Sequence, residues 1–165
     1  MTEYCLGFAF TVDYAGYQRV LLIRKIHPDW QAGRLNGIGG KIEAGETPHR
    51  AMAREFREEA GLESLPTAWV KFAEMHFGLG EVIVYCFTTW WEWKIFKRAI
   101  SKTEEQICSY LLDERFFHKM RDEKALPNLH WLIPMAQAAW WISDSPVLKI
   151  SELPDLSRFH DPSNP

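Results

Sequence analysis

Three glutamates close together on one predicted helix are the residues whose type and spacing could do chemistry. The segment Pro48–Ala60 has helical periodicity. At about 100° per residue, Glu55, Glu58 and Glu59 fall on one arc beside the apolar face. Clustered carboxylate oxygens bind hard divalent cations such as Mg²⁺ and Mn²⁺. The helix therefore predicts a metal site.

An alternative interpretation of this helix is an ordinary solvated face. Thr47 is a typical N-cap residue and Gly61 a typical C-terminal stop, so the ends are clear. Arg54 and Glu58 could then form a surface pair at i,i+4, which contributes little stability. Helix periodicity alone leaves both interpretations open.

The glycine-rich stretch before the helix, LNGIGGKIEAGET, could bind phosphate or set a turn. Neither common phosphate fingerprint fits, because Ile42 stands where GxxxxGK[ST] needs Ser or Thr and where GxGxxG needs Gly. We therefore expect the glycines to position Glu46 and the acidic arc rather than to hold phosphate with their amides.

Composition limits the class of protein. The 165 residues carry 47% hydrophobic and 25% charged residues, which predicts one globular domain. The net charge of −3 offers no DNA-binding surface, so a small nucleotide is the expected kind of partner. Three separated cysteines predict a cytoplasmic protein, and the stretch MTEYCLGFAF lacks the basic region expected of a secretion signal. The longest apolar run, Val82 to Trp91, is too short for a membrane span.

The elements that must position the acids are two hairpins and two helices. The strands of the first hairpin are predicted at Glu3–Asp13 and Arg19–Ile26, and those of the second at Trp69–Gly78 and Glu81–Trp93. This order predicts an α+β fold with a mixed sheet between helices. A further strand is expected at Gln106–Leu112, and a second helix at Leu126–Trp141, with Pro134 in its first turn or at a kink. One domain is expected over 1–142, followed by an irregular Pro-rich tail over 143–165 that packs on or trails the domain.

Read as one unit, GKIEAGETPHRAMAREFREEAGL resembles the Nudix box. The nine matched positions, over 23 residues, are Gly40, Glu46, Arg54, Glu55, Phe56, Glu58, Glu59, Gly61 and Leu62. The resemblance implies a Nudix-type α/β/α sandwich and hydrolysis of a nucleoside diphosphate linked to another group. It also implies Mg²⁺ or Mn²⁺ held by Glu55, Glu58, Glu59 and Gly40, with Arg54 as a catalytic or carboxylate-orienting residue and Glu46 supporting the loop or a second ion.

The flanking sequences are similar to MutT-like enzymes that act on oxidised purine nucleoside triphosphates. AGRLNGIGGK and LPNLHWLIPMA carry this similarity, and they make Asn36 and Asn128 candidate readers of a purine edge. Pro127 stands where mammalian-type members have a second acid. The alternatives are another nucleoside diphosphate substrate (unmodified triphosphate, nucleotide sugar or capped RNA) and a non-catalytic nucleotide-binding module.

Further candidates come from outside the box. By the same resemblance, Glu105 is the expected downstream catalytic acid, with Glu104 as its rival and an exposed acidic turn as the alternative. Arg24, Lys25 and Lys41 are cations that could bind substrate phosphates, although basic strand ends are commonly just solvated. Phe8, Phe10 and Phe72 are candidates to line a base site, and most of the eight tryptophans are expected to be packing residues.

Overall fold

The computed structural model describes residues 1–142 and 147–151. Within them, seven strands form one mixed sheet in the order β3-β2-β1-β5-β4-β7, with β6 paired to β2. The strands are β1 Thr2–Val12, β2 Gln18–Arg24, β3 Leu35–Asn36, β4 Val70–Phe77, β5 Val82–Glu92, β6 Gln106–Leu111 and β7 Leu148–Ser151. The helices are α1 Pro48–Ala60, α2 Trp93–Phe96, α3 Phe116–Asp122 and α4 Leu129–Trp141.

Each face of the sheet is covered by a different helical layer because side chains alternate along each strand. On β1, Phe8 and Phe10 pack into the core shared with α3 and α4, whereas Cys5 and Ala9 face the core beneath α1. The pairs β1–β5 and β4–β7 are parallel and the other strand pairs are antiparallel. The predicted α/β/α sandwich with a mixed sheet is confirmed.

The glycine-rich stretch runs beside β1 as an irregular strand. Gly7 N and O both bond Ile38, Cys5 N donates to Gly40 O at 2.9 Å, and Ile42 N donates to Glu3 O at 2.9 Å. Gly39 has φ of 152°, and a Cβ on it would lie 2.1 Å from the Cys5 carbonyl oxygen. Only glycine can approach β1 this closely, so the stretch is fixed by backbone contacts with the sheet.

Helix α1 is present with its predicted bounds, and both predicted hairpins and strand β6 are present with small shifts of their ends. Helix α4 begins at Leu129 rather than Leu126, and Pro134 still lies beyond its first turn, inside the helix. The proline leaves the His130 carbonyl without its helical donor, and His130 is exposed to water. No helix within residues 1–142 and 147–151 is long and apolar enough to cross a membrane.

The structure differs from the sequence expectations at three elements, the first of which is the unpredicted short helix α2 at Trp93–Phe96. Helix α3 was not predicted, because it is only seven residues long and most of these residues are polar. The tail was expected to be irregular, but residues 148–151 form β7, which adds to the sheet edge beside β4. An edge strand needs only a partner with free backbone groups, so its own sequence carries little signal. The rest of the predicted tail lies outside the described residues, and the domain boundary at 142 stays a prediction.

Candidate active site

Helix α1 presents its acids toward the sheet rather than toward solvent. It begins at Pro48, after the hydroxyl of Thr47 accepts a bond from Arg50 N at 3.4 Å. Met52 and Phe56 are fully buried, and they fix the rotation of the helix about its axis. That rotation puts Glu59 at the edge of the core, where its side chain is only 8% exposed. The alternative of a solvated charged face therefore does not hold for Glu59.

The C-terminal end of α1 is also secured. Gly61 adopts the left-handed conformation, with φ of 68°, and its N–H donates to Arg57 O at 3.0 Å. The segment after α2 supplies two more donors, Ile100 N to Ala60 O at 3.1 Å and Lys102 N to Glu59 O at 3.3 Å. The last turn, which carries Glu59, is therefore held by its own C-cap and by a neighbouring segment.

Arg54 is the centre of a network of carboxylates. Its Nε and Nη2 donate to both oxygens of Glu46 at 3.1 and 3.0 Å, a bidentate pair that lowers the pKa of Glu46. Its Nη1 reaches Glu55 at 2.8 Å and Glu58 at 3.0 Å, and Nη2 also donates to the Lys41 carbonyl at 3.1 Å. The predicted i,i+4 pair exists, but it is one part of a half-buried cluster that joins the glycine loop to α1.

Glu59 and Glu55 lie directly beneath the two adjacent glycines of the loop. Glu59 Oε2 accepts from Gly39 N at 3.0 Å, and a Cβ on Gly40 would lie 2.4 Å from Glu55 Oε1. Burial raises the pKa of Glu59 to about 7 and also raises the pKa of Glu55. The Glu55 carboxylate raises the pKa of Glu59 further, and the Glu58 carboxylate does the same to Glu55. The protein thus holds more negative charge here than its own groups neutralise.

Lys25 connects Glu59 to Glu105. Its Nζ lies 3.4 Å from Glu59 Oε1 and 2.6 Å from Glu105 Oε2, while Glu105 Oε1 accepts from Ile26 N at 2.8 Å and His27 N at 3.4 Å. Burial alone would raise the pKa of Glu105, but Lys25 and the two N–H groups outweigh it and lower that pKa. Glu105 is therefore an ionised partner of Lys25, and its rival Glu104 is exposed.

A cavity of about 640 Å³ opens beside these acids. Lys25, Gly39 and Gly40 line its acidic end, and Asn36 and Asn128 line it elsewhere. The two asparagines line one cavity because Leu126 N donates to Leu35 O at 2.9 Å, which joins the segment just before α4 to β3. Asn128 Oδ1 is buried and has no hydrogen-bond partner within the described residues. An unpaired buried acceptor is costly, so this atom requires a donor from a ligand or water.

Several residues predicted from the sequence lie elsewhere. Arg24 does not line the cavity, because its guanidinium pairs with Glu123 and donates to Gly33 O at 3.0 Å. Lys41 is exposed and also absent from the lining. The phenylalanines proposed for the base site, Phe8, Phe10 and Phe72, are core residues with at most 2% exposure.

The cavity also contains residues that sequence reasoning did not select. Trp30 and Gln31 belong to a short 3₁₀ turn, Asp29–Gln31, and both line the cavity. Trp30 is 66% exposed, which is unusual for a tryptophan and is a signal only the structure gives. Apolar lining comes from β1 and the β4–β5 hairpin, namely Tyr4, Leu6, Met75, Phe77, Val82 and Val84.

The donor set suits a hard cation. The acids offer only carboxylate oxygens, and burial raises the pKa of the neighbouring Cys5 thiol to about 12, so that group stays protonated. The Gly40 carbonyl accepts from Cys5 N at 2.9 Å and from Cys5 Sγ at 3.7 Å, and the thiol is the weaker of these two donors. Within residues 1–142 and 147–151, no group of three or more His, Cys, Asp or Glu side chains is already arranged to coordinate a metal ion. Arg54 Nη1 instead lies between Glu55 and Glu58.

This fold, with a helix of paired acids held against a glycine loop, defines a Nudix domain. The family model of the NUDIX domain matches residues 8–130. The chain therefore belongs to the Nudix family, as the resemblance of residues 40–62 implied.

Individual relatives place it near the MutT-like members. The 8-oxo-dGTP diphosphatase of Escherichia coli K12 is 34% identical over 80 residues, covering 46% of this chain and 54% of that protein. The chain spans 31% to 54% of the lengths of the curated relatives that it matches.

Solved structures agree on the fold. A MutT from either Aliivibrio salmonicida or Vibrio cholerae has a TM-score of 0.56 at 17% identity, covering 82% of this chain and 96% of that one. The NUDIX domain of Shewanella oneidensis NrtR, in complex with ADP ribose, has a TM-score of 0.61 at 15% identity, covering 82% and 86%. At these identities the likeness concerns the fold alone.

Proposed function

We propose that this chain is a divalent-metal-dependent pyrophosphohydrolase that converts a nucleoside triphosphate to the monophosphate and pyrophosphate, with oxidised purine nucleotides as preferred substrates. Water supplies the oxygen that bonds to phosphorus, the P–O bond of the α,β-bridge breaks, and the two phosphate products leave. The observation that carries this proposal is the buried pair Glu55 and Glu59, which lies against Gly39 and Gly40 of the cavity wall.

Glu55, Glu58 and Glu59, with the Gly40 carbonyl, would hold Mg²⁺ or Mn²⁺. A bound ion of this kind would neutralise the charge that spreads over the phosphate oxygens during transfer. The raised pKa values of Glu55 and Glu59 support the assignment, because buried carboxylates short of neutralising partners favour a cation. Their orientation is prepared before any ligand binds, since Arg54 and Gly39 N already hold them.

The other groups of the site position substrate. Lys25 lines the cavity and carries a positive charge between Glu59 and Glu105, so it is the protein's own cation at the phosphate end. Its raised pKa keeps it protonated. Asn128 Oδ1 would accept a bond from a ring N–H or amino group of the base, and the apolar lining would pack against the ring. An oxidised purine presents such an N–H beside a carbonyl, and the E. coli relative is named for that substrate.

A panel of nucleotides with and without Mg²⁺, with products separated by chromatography, tests the proposal. It should include 8-oxo-dGTP, dGTP, dATP, ADP-ribose, a nucleotide sugar and a capped RNA end. We expect monophosphate and pyrophosphate from triphosphates, fastest from 8-oxo-dGTP. Turnover confined to another nucleotide would reassign the substrate, whereas no metal-dependent turnover of any nucleotide would favour a binding module.

A further inference from the structure

We infer that Gln31 is a specificity-determining residue that selects bases presenting a carbonyl next to a ring N–H. This inference rests on the proposed function, because it concerns how the same cavity reads the base. It begins from Gln31 lining the cavity on a loop that holds it firmly. Gln31 N donates to Pro28 O at 2.8 Å, and Arg34 N donates to Gln31 O at 2.8 Å.

The hydrogen bonds of Asn36 determine which side-chain amide atom of Gln31 is left without a partner. The Gly37 N–H can only donate, so the Asn36 atom 2.8 Å from it is the acceptor Oδ1. The other terminus of Asn36 is therefore Nδ2, a donor, and it lies 3.1 Å from Gln31. The Gln31 atom that meets it must be the acceptor Oε1.

The remaining atom of Gln31 is thus the donor Nε2. It has no hydrogen-bond partner within residues 1–142 and 147–151, although Gln31 is only partly exposed. Gln31 thus brings an unpaired amide donor to a cavity that Asn128, with its buried and unpartnered acceptor, also lines. A ligand edge that satisfies both sides has an acceptor oxygen and a donor N–H, as in hypoxanthine, guanine and 8-oxopurines. Adenine, with an amino group and an unprotonated ring nitrogen, reverses this pattern.

Binding of inosine and adenosine monophosphates without metal tests this inference separately from hydrolysis. The two ligands share phosphate and sugar and differ only at the base edge, so the ratio of their dissociation constants isolates base reading. We expect wild type to prefer inosine monophosphate.

Two variants distinguish the roles of Gln31. Gln31→Glu keeps an oxygen to accept from Asn36 Nδ2 but removes the donor, and Gln31→Met removes both functions while keeping the length of the side chain. We expect each variant to reduce the preference for inosine monophosphate by about 3- to 10-fold, the size of one lost neutral hydrogen bond. Any repulsion of phosphate by the new carboxylate affects both ligands alike and cancels in the ratio. Unchanged melting temperatures would show that the fold is intact.

An unchanged ratio in both variants, or a wild-type preference for adenosine monophosphate, would overturn the inference. Hydrolysis with an unchanged ratio would leave the proposed function intact and reject the role of Gln31. If the protein hydrolyses no nucleotide but binds inosine monophosphate selectively, and Gln31→Glu abolishes that selectivity, the role of Gln31 would stand and the proposed function would be rejected. Failure of either monophosphate to bind would also reject it.

Discussion

Replacing Arg54 by alanine should destabilise the protein far more than a surface arginine would. Arg54 pairs with Glu46 and Glu55, whose side chains are 16% and 13% exposed, and with Glu58, which is 47% exposed. Glu58 is so exposed that its ion pair with Arg54 contributes little to the stability of the protein. The variant removes the guanidinium partner of both half-buried carboxylates, although Glu46 still accepts from Glu43 N at 3.3 Å. Breaking a buried ion pair costs about 3–5 kcal/mol, which is the upper limit for this loss.

Urea unfolding at pH 8, followed by tryptophan fluorescence, measures this loss. Arg57→Ala is the matched control on the same helix, since Arg57 is 52% exposed and lies 3.9 Å from Glu58. We expect Arg57→Ala to stay within about 0.5 kcal/mol of wild type. Arg54→Lys, which keeps the charge but not the bidentate geometry, should fall between the two.

A double-mutant cycle with Glu46→Gln adds a second check. The bidentate geometry predicts that the effects of Glu46→Gln and Arg54→Ala are not additive, with a coupling of at least about 1 kcal/mol. The network around Arg54 would be refuted if Arg54→Ala were as stable as Arg57→Ala and if the effects of Arg54→Ala and Glu46→Gln on unfolding free energy were additive.

Three further predictions follow from other parts of the molecule. Burial beside Phe87 lowers the pKa of His49. The pKa of His49 is therefore lower in the folded than in the unfolded protein, so its contribution to stability is full above about pH 6.5 and falls on acidification. The difference in unfolding free energy between wild type and His49→Gln should shrink or reverse from pH 7.5 to 5.5. A difference that stays constant over this range would contradict the prediction. Of the three thiols, only Cys108 should react quickly with a thiol reagent in the native state, because burial raises the pKa of the other two to about 12; Cys108→Ser should abolish the fast phase. Gly39→Ala should lower the melting temperature much more than Gly16→Ala, since a Cβ at Gly39 meets a backbone carbonyl at 2.1 Å whereas Gly16 has open space; equal losses would argue against the close approach to β1.

The sequence was informative wherever one local pattern determines the outcome. Helix α1 was predicted with its observed bounds, because Thr47, Pro48 and Gly61 mark its ends. The family was recognised from box residues that share one loop and one helix. The β4–β5 hairpin was equally local, with its turn at residues 78–80.

Residues whose role depends on distant partners could not be assigned from the sequence. Arg24 and Lys25 are adjacent in a strand and chemically similar, but alternation sends Arg24 to Glu123 and Lys25 to the cavity. Trp30 and Gln31 lie in an irregular loop that has no periodic pattern. Their place in the cavity depends on the backbone bonds between Lys25 and Arg34, at 2.9 Å, and between residues within the loop.

The central claim is that the buried acids of α1 form a metal-dependent hydrolytic centre, and Glu59→Gln tests it most directly. Glutamine can still accept from Gly39 N but carries no charge, and Glu63→Gln, on an exposed residue just beyond the helix, is the control. Because burial already disfavours the charged form of Glu59, the variant should fold at pH 8 as stably as wild type.

The decisive measurement is the initial rate of pyrophosphate release from 8-oxo-dGTP and dGTP with saturating Mg²⁺. We predict that Glu59→Gln lowers the rate at least about 100-fold, because loss of a residue that only orients a metal ligand already costs up to about that much. Glu63→Gln should keep the wild-type rate. A folded Glu59→Gln protein that releases pyrophosphate as fast as wild type would contradict the account.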